Sequence, residues 1–172
     1  MLTDIFPPDR REAPMGWEAV RAWEAMHGVD LPEPYRSFVA EVANGSVLGP
    51  PDDSGLLPLG ELPDYWPYGH RDIATPFPLT EAWFWEDDPR DATEVEELRK
   101  AVYRKGSVVL GESSGPVYWL LIVSGPQRGR VWAVSEVGAL PFSGVADVEE
   151  AGVAFDEWVR RWHEAPDSWL MY

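Results

Sequence analysis

GSVVLGESSGPVYWLLIVSGPQRGRVWAVSEVGALPF, residues 106–142, decides the fold. SVVLG, PVYWLLIV, RVWAV and GALPF are short runs of β-branched, aromatic and other apolar residues, and Gly-containing turns of a few residues separate them, which is the signature of hairpins. Parallel pairing needs longer crossovers than these turns supply. The stretch therefore reads as an antiparallel meander, with GESSG and SGPQRG as its turns.

Helices are expected on both sides of it. Upstream, Trp17, Val20, Trp23 and Met26 recur every three residues over 16–27, and Gly28 suits a helix exit. Tyr35, Phe38, Val39 and Val42 fall at i, i+3, i+4 and i+7, opened by Pro34 and closed by Asn44-Gly45. Between 46 and 79 eleven Gly and Pro residues forbid long elements, leaving short strands near Leu56–Leu59 and Phe77–Trp85. A third helix starts at Thr93, with Thr93 and Glu96 as a capping box and Val95, Leu98, Ala101 and Val102 as its apolar side. The last, from about Glu150 to Glu164, carries Phe155, Trp158, Val159 and Trp162. The fold class is α+β: a mostly antiparallel sheet of about five to six strands flanked by N-terminal helices, one middle helix and a C-terminal helix. One domain is expected over residues 1–172, with its core at about 15–165, a flexible arm at 1–14 and a tail at 166–172.

Composition narrows the function. The 172 residues hold 30 Asp plus Glu against 14 Lys plus Arg, a formal charge of −16, so a polyanion would be repelled and direct nucleic-acid binding is excluded. With 10 Trp, 6 Tyr and 6 Phe the chain is apolar enough to fold despite that charge. Cys is absent, which removes thiolate nucleophiles, disulfides and Cys-based zinc sites. The opening residues lack the pattern of a secretory signal, and no apolar run approaches ~18 residues. A cytoplasmic protein without membrane attachment is expected.

The charge is concentrated. Residues 81–97, EAWFWEDDPRDATEVEE, hold eight acids against Arg90 alone, nearly half of the excess. Trp83 and Trp85 stand beside Glu86, Asp87, Asp88, Asp91 and Glu94, pairing desolvatable anchors with charge that accelerates association with a cationic partner. These seven residues are the candidate contact patch. The competing reading turns one of the tryptophans into the core and makes the acids a solvated approach to the next helix, where they favour its dipole. Tyr65, Trp66 and Tyr68 form either a binding rim or a packed loop, and Trp158 and Trp162 are expected in the core.

No catalytic or metal motif survives its context. Gly111-Glu112-Ser113-Ser114-Gly115 fits G-x-S-x-G, and Asp147 or Asp156 followed by His163 supplies the order of a hydrolase triad. A nucleophile elbow, however, leads from a strand into a helix, whereas Pro116 leads into a strand. A small serine hydrolase using Ser113 is thus a remote alternative. His27, His70 and His163 lie on separate elements without ligand spacing, and the acids at 86–91 lack the order of a calcium loop, so neither cofactor nor metal is expected.

Taken in order, several motifs resemble the SUKH superfamily, which includes fungal cell-wall assembly regulators and many bacterial immunity proteins. They are LPEPYRSFVAEVANGS at 31–46, LLPLGEL at 56–62, the aromatic strand at 77–85, the hairpin 115–134 and the FDEWVRRW helix. The resemblance implies a non-catalytic α+β domain. Its signature positions here, Leu31, Pro32, Asn44, Gly45, Gly129 and Trp132, are implied to be structural. It also implies an immunity protein that binds and neutralises a cognate toxin; the −16 charge suits a basic, nuclease-type toxin. A regulatory adaptor of the cell-wall assembly type is the alternative.

Overall fold

The structure is a computed structural model that describes residues 1–51, 54–114, 117–143 and 152–165. The tail at 166–172, Asp147, Glu150 and the Gly115-Pro116 turn lie outside the described residues. In chain order the elements are α1 (Leu2–Ile5), α2 (Trp17–His27), α3 (Tyr35–Glu41), β1 (Trp83–Phe84), a 3-10 turn (Trp85–Asp87), α4 (Ala92–Arg104), β2 (Ser107–Ser113), β3 (Val117–Ile122), β4 (Val131–Val134), β5 (Gly138–Pro141) and α5 (Phe155–Glu164). The strands form one antiparallel sheet in the order β1-β5-β4-β3-β2, so the expected α+β meander is present.

Both faces of the sheet are covered, which is why all six residues of β3 are buried. Trp119, Leu121, Val131 and Ala133 point to one face, beneath α2, α3 and α5 with α1 against them. Tyr118, Leu120, Ile122, Trp132 and Val134 point to the other, beneath α4 and the Pro-rich chain that carries Leu62, Trp66, Tyr68, Phe77 and Leu79. Helix stripes explain the first layer: Tyr35, Phe38 and Val39 of α3, and Phe155, Trp158 and Val159 of α5, are buried, while Trp162 is only half-buried. No helix among the described residues is long and apolar enough to cross a membrane.

Several expectations are corrected. Residues 1–14 are not a free arm. Leu2, Ile5 and Phe6 put an apolar edge on α1 and its exit, Phe6 is fully buried with its ring 5.3 Å from that of Phe38, and Glu12 N–H donates to Gly45 O. Leu56–Leu59 forms no strand: Leu57 N–H reaches Leu110 O on β2, but Pro58 has no amide to continue the ladder. The strand expected over Phe77–Trp85 shrinks to Trp83–Phe84, after Pro78. Helix α4 is capped by Asp91 rather than by Thr93. Finally, α5 begins at Phe155, because Val153 donates its N–H to Phe142 O and accepts from Val131 N–H, commitments that hold it extended.

Candidate functional site

The acidic segment spans β1, the 3-10 turn and the first turn of α4, and its residues divide by what they touch. Trp85 is 7 % exposed, and its Nε1 donates to Glu136 O at 2.5 Å, so it anchors the turn between β4 and β5. Trp83 is half-buried, its ring 5.3 Å from that of Trp85 in an edge-on arrangement, and its Nε1 donates to Asp88 Oδ2 at 2.6 Å. Arg90 closes the group: its Nη2 lies 2.6 Å from Asp88 Oδ2, and its guanidinium sits 5.6 Å over the Trp83 ring. The Arg90 side chain, its backbone N–H and the Trp83 indole together hold the Asp88 carboxyl well below the usual carboxylate range. Asp91 Oδ1 accepts Thr93 N–H at 2.9 Å as the helix cap.

Of the seven candidate residues, then, Trp85 faces inward, Trp83 is largely committed to internal packing, and Asp88 and Asp91 hold local structure. Glu86, Asp87 and Glu94 remain exposed, and among the described residues none of the three makes an ion pair. Composition does not single out Phe84, which is 50 % exposed, or Val137 in the turn before β5, which is 41 % exposed. The signal was present. In a strand, alternation that turns Trp83 and Trp85 inward turns the residue between them outward. Phe84 pairs with Gly138, where a Cβ would lie 2.7 Å from Phe84 Cδ1; only glycine lets the ring settle on that backbone.

The undecided loop at 65–72 is mostly packed down. Trp66 stacks edge-on with Tyr103 and Tyr118, Tyr68 Oη donates to Glu96 Oε1 at 2.8 Å, and of the three rings that of Tyr65 is the exposed one, at 86 %, although its O accepts from Tyr118 Oη at 3.1 Å. Burial, with minor charge effects, pushes the Tyr103 phenol up to about 12. The Arg71 guanidinium, which burial brings down to about 10, donates to Tyr103 O and to Ser107 O and Oγ, and lies 5.2 Å over the Trp66 ring.

The family-like positions join loops. Leu31 and Pro32 are buried beside Gly129, with Pro32 Cβ 3.8 Å from where a Gly129 Cβ would stand. Asn44 Oδ1 accepts Leu59 N–H at 2.8 Å, and a Cβ on Gly45, at φ +104°, would come within 3.1 Å of Leu56 O. Trp132 is fully buried and meets Phe77 edge-on at 5.0 Å. Around Leu31 and Gly129 opens a groove of about 560 Å³, which also takes in Asp30, Glu33, Arg36 and Arg128. Its cations are engaged: Arg36 by the buried Glu24 carboxylate, Arg128 by Asp30 O at 2.9 Å.

The serine motif lacks its elbow. Ser113 is the last residue of β2, which turns into β3 and not into a helix, and its Oγ accepts from Trp119 Nε1 at 3.1 Å. Asp156 pairs with Arg160 on α5. The three histidines stand apart on α2, the 65–72 loop and α5, and among the described residues no three His, Asp or Glu side chains converge.

A family model described as SMI1 / KNR4 family (SUKH-1) matches residues 17–169. No curated protein and no solved structure shows a significant match.

Proposed function

Because the chain belongs to the SMI1/KNR4 (SUKH-1) family, we propose that it is a non-catalytic protein-binding domain of the immunity type, which binds and neutralises a cognate basic toxin in the cytoplasm. Membership in itself gives a toxin-immunity or cell-wall-regulator type of role. The observation that favours immunity is the −16 charge, with Glu86 and Asp87 exposed on the 3-10 turn and Glu94 on the first turn of α4, beside a sheet packed on both faces. A toxin that cleaves nucleic acid carries a cationic cleft, and an acidic surface can occupy that cleft and approach it under long-range attraction.

The neighbouring genes supply the test. A large adjacent reading frame with a variable, basic C-terminal domain provides the probe, and coexpression of that domain with this chain is expected to restore growth. The two should form a 1:1 complex whose on-rate falls roughly tenfold or more as salt is raised. Persistent growth arrest, or association indifferent to salt, overturns the reading. An envelope or signalling protein bound instead, with no toxin gene nearby, moves the chain to the adaptor role.

A further inference from the structure

We propose that Phe84 and Val137 are the apolar centre of a docking surface, and that its occupant is a protein face presenting an apolar pocket ringed by Lys and Arg. The inference rests on the protein-binding reading above and gives that reading its contact residues. Phe84 lies on β1, the sheet's edge strand, and is 50 % exposed although the residues on either side of it turn inward. Its ring rests on the bare backbone of Gly138, and Val137, the residue before that glycine in the turn leading into β5, is 41 % exposed.

The spot is held in place. Trp85 Nε1 bonds Glu136 O at 2.5 Å and Glu86 N–H bonds Val137 O at 3.4 Å, which tie the turn between β4 and β5 to the acidic segment. An anchor fixed before binding loses little conformational freedom on association. Its rim has one sign. Glu86, Asp87 and Glu136 are exposed and make no ion pair among the described residues, while the cations of the same region are occupied: Arg90 holds Asp88, and Arg99 lies 5.6 Å over the Trp85 ring. An apolar centre inside an uncompensated acidic rim complements a cationic rim around an apolar pocket, the arrangement in which a buried aromatic sustains affinity and the charges raise the on-rate.

Two peptides test this against the whole chain, followed by backbone amide NMR: Lys-Leu-Lys-Leu-Lys, which offers charge with apolar side chains, and pentalysine, which offers charge alone. The alternating peptide is expected to bind roughly tenfold tighter and to shift the amides of Phe84, Glu86 and Val137. Phe84→Ser and, independently, Val137→Ser should erase that difference with an unchanged melting temperature, and Tyr65→Ser, which removes an exposed ring elsewhere, should leave it. Equal binding of the two peptides, binding of neither, or shifts confined to the groove at Arg128 overturns the proposal. Lost preference with toxin neutralisation intact removes this surface alone; retained preference without neutralisation removes the immunity reading and keeps the surface.

Discussion

The two faces of the sheet solve the same burial problem with different chemistry. On the first face, helices deliver aliphatic and aromatic stripes, and its most buried charge, Glu24 at 6 % exposed, is met by a carboxylate–guanidinium fork: Arg36 Nε and Nη2 at 2.7 and 2.9 Å, with Leu31 N–H at 2.9 Å. On the second, three guanidiniums lie on rings, Arg71 on Trp66, Arg99 on Trp85 and Arg104 on Tyr68, as Arg36 also does on Trp17 beside its carboxylate. Arg71 there is bonded to backbone carbonyls and a hydroxyl, not to a carboxylate. A cation can thus be accommodated inside a strongly acidic protein in two ways, and only one of them titrates in acid.

The largest effects should come from the sheet itself and be alike on both faces. Trp119 packs edge-on against Phe142 at 5.6 Å on the first face, and Trp132 against Phe77 at 5.0 Å on the second. Trp119→Ala and Trp132→Ala should each cost about 3–5 kcal/mol in urea unfolding. A cost near 1 kcal/mol for either would mean that its face is loosely packed and the symmetry false.

The polar ties should then separate the faces. Arg36→Met leaves the Glu24 carboxylate without its guanidinium and should lower the urea midpoint at neutral pH. Glu24 is held below its ordinary value of 4.5, chiefly by the Arg36 hydrogen bonds, so the unfolded chain binds its proton more readily than the folded one. The stability it contributes is complete above that ordinary value and drains away as pH falls through the lower folded value. Glu24→Gln should abolish this part of the acid sensitivity in a pH series of unfolding midpoints. Arg71→Met exposes no carboxylate; it leaves Tyr103 O and Ser107 O short of a donor, which should cost about 1–3 kcal/mol without changing the slope between pH 3 and 6. A shared acid slope would erase the distinction.

The first face was also the legible one. Its helices announce themselves because one stripe every three or four residues must meet the sheet, and Tyr35, Phe38, Val39, Phe155 and Trp158 all arrive where that period puts them. Leu2, Ile5 and Phe6 carry the same period over one turn, too short to stand out from chance. Apart from α4, the second face has no period to read: Leu62, Trp66, Tyr68, Phe77 and Leu79 hold position through ring contacts and single bonds such as Phe77 N–H to Ser124 O, and those partners are distant in sequence. The contact segment was half legible for a related reason. Composition located its charge, but alternation across β1 determines which ring faces water, and that depended on knowing that Trp83 pairs with Ala139.

The smallest effect tests the junction where the two readings of the acidic segment meet. Asp91 accepts Thr93 N–H at the start of α4, the helix that covers the second face, so the cap lies two residues before the Thr93 expected from sequence. Asp91→Ala should therefore cost about 1 kcal/mol, and Thr93→Ala should stay within a few tenths of wild type. If instead Thr93→Ala is the costly change, the cap sits where the sequence first put it, and Asp91 is returned to the exposed acids available to a partner. If Asp91→Ala alone destabilises, any slowing of association in that variant must first be corrected for a frayed α4, whereas Asp87→Asn, which lies outside α4 and makes no ion pair among the described residues, reads the surface charge directly.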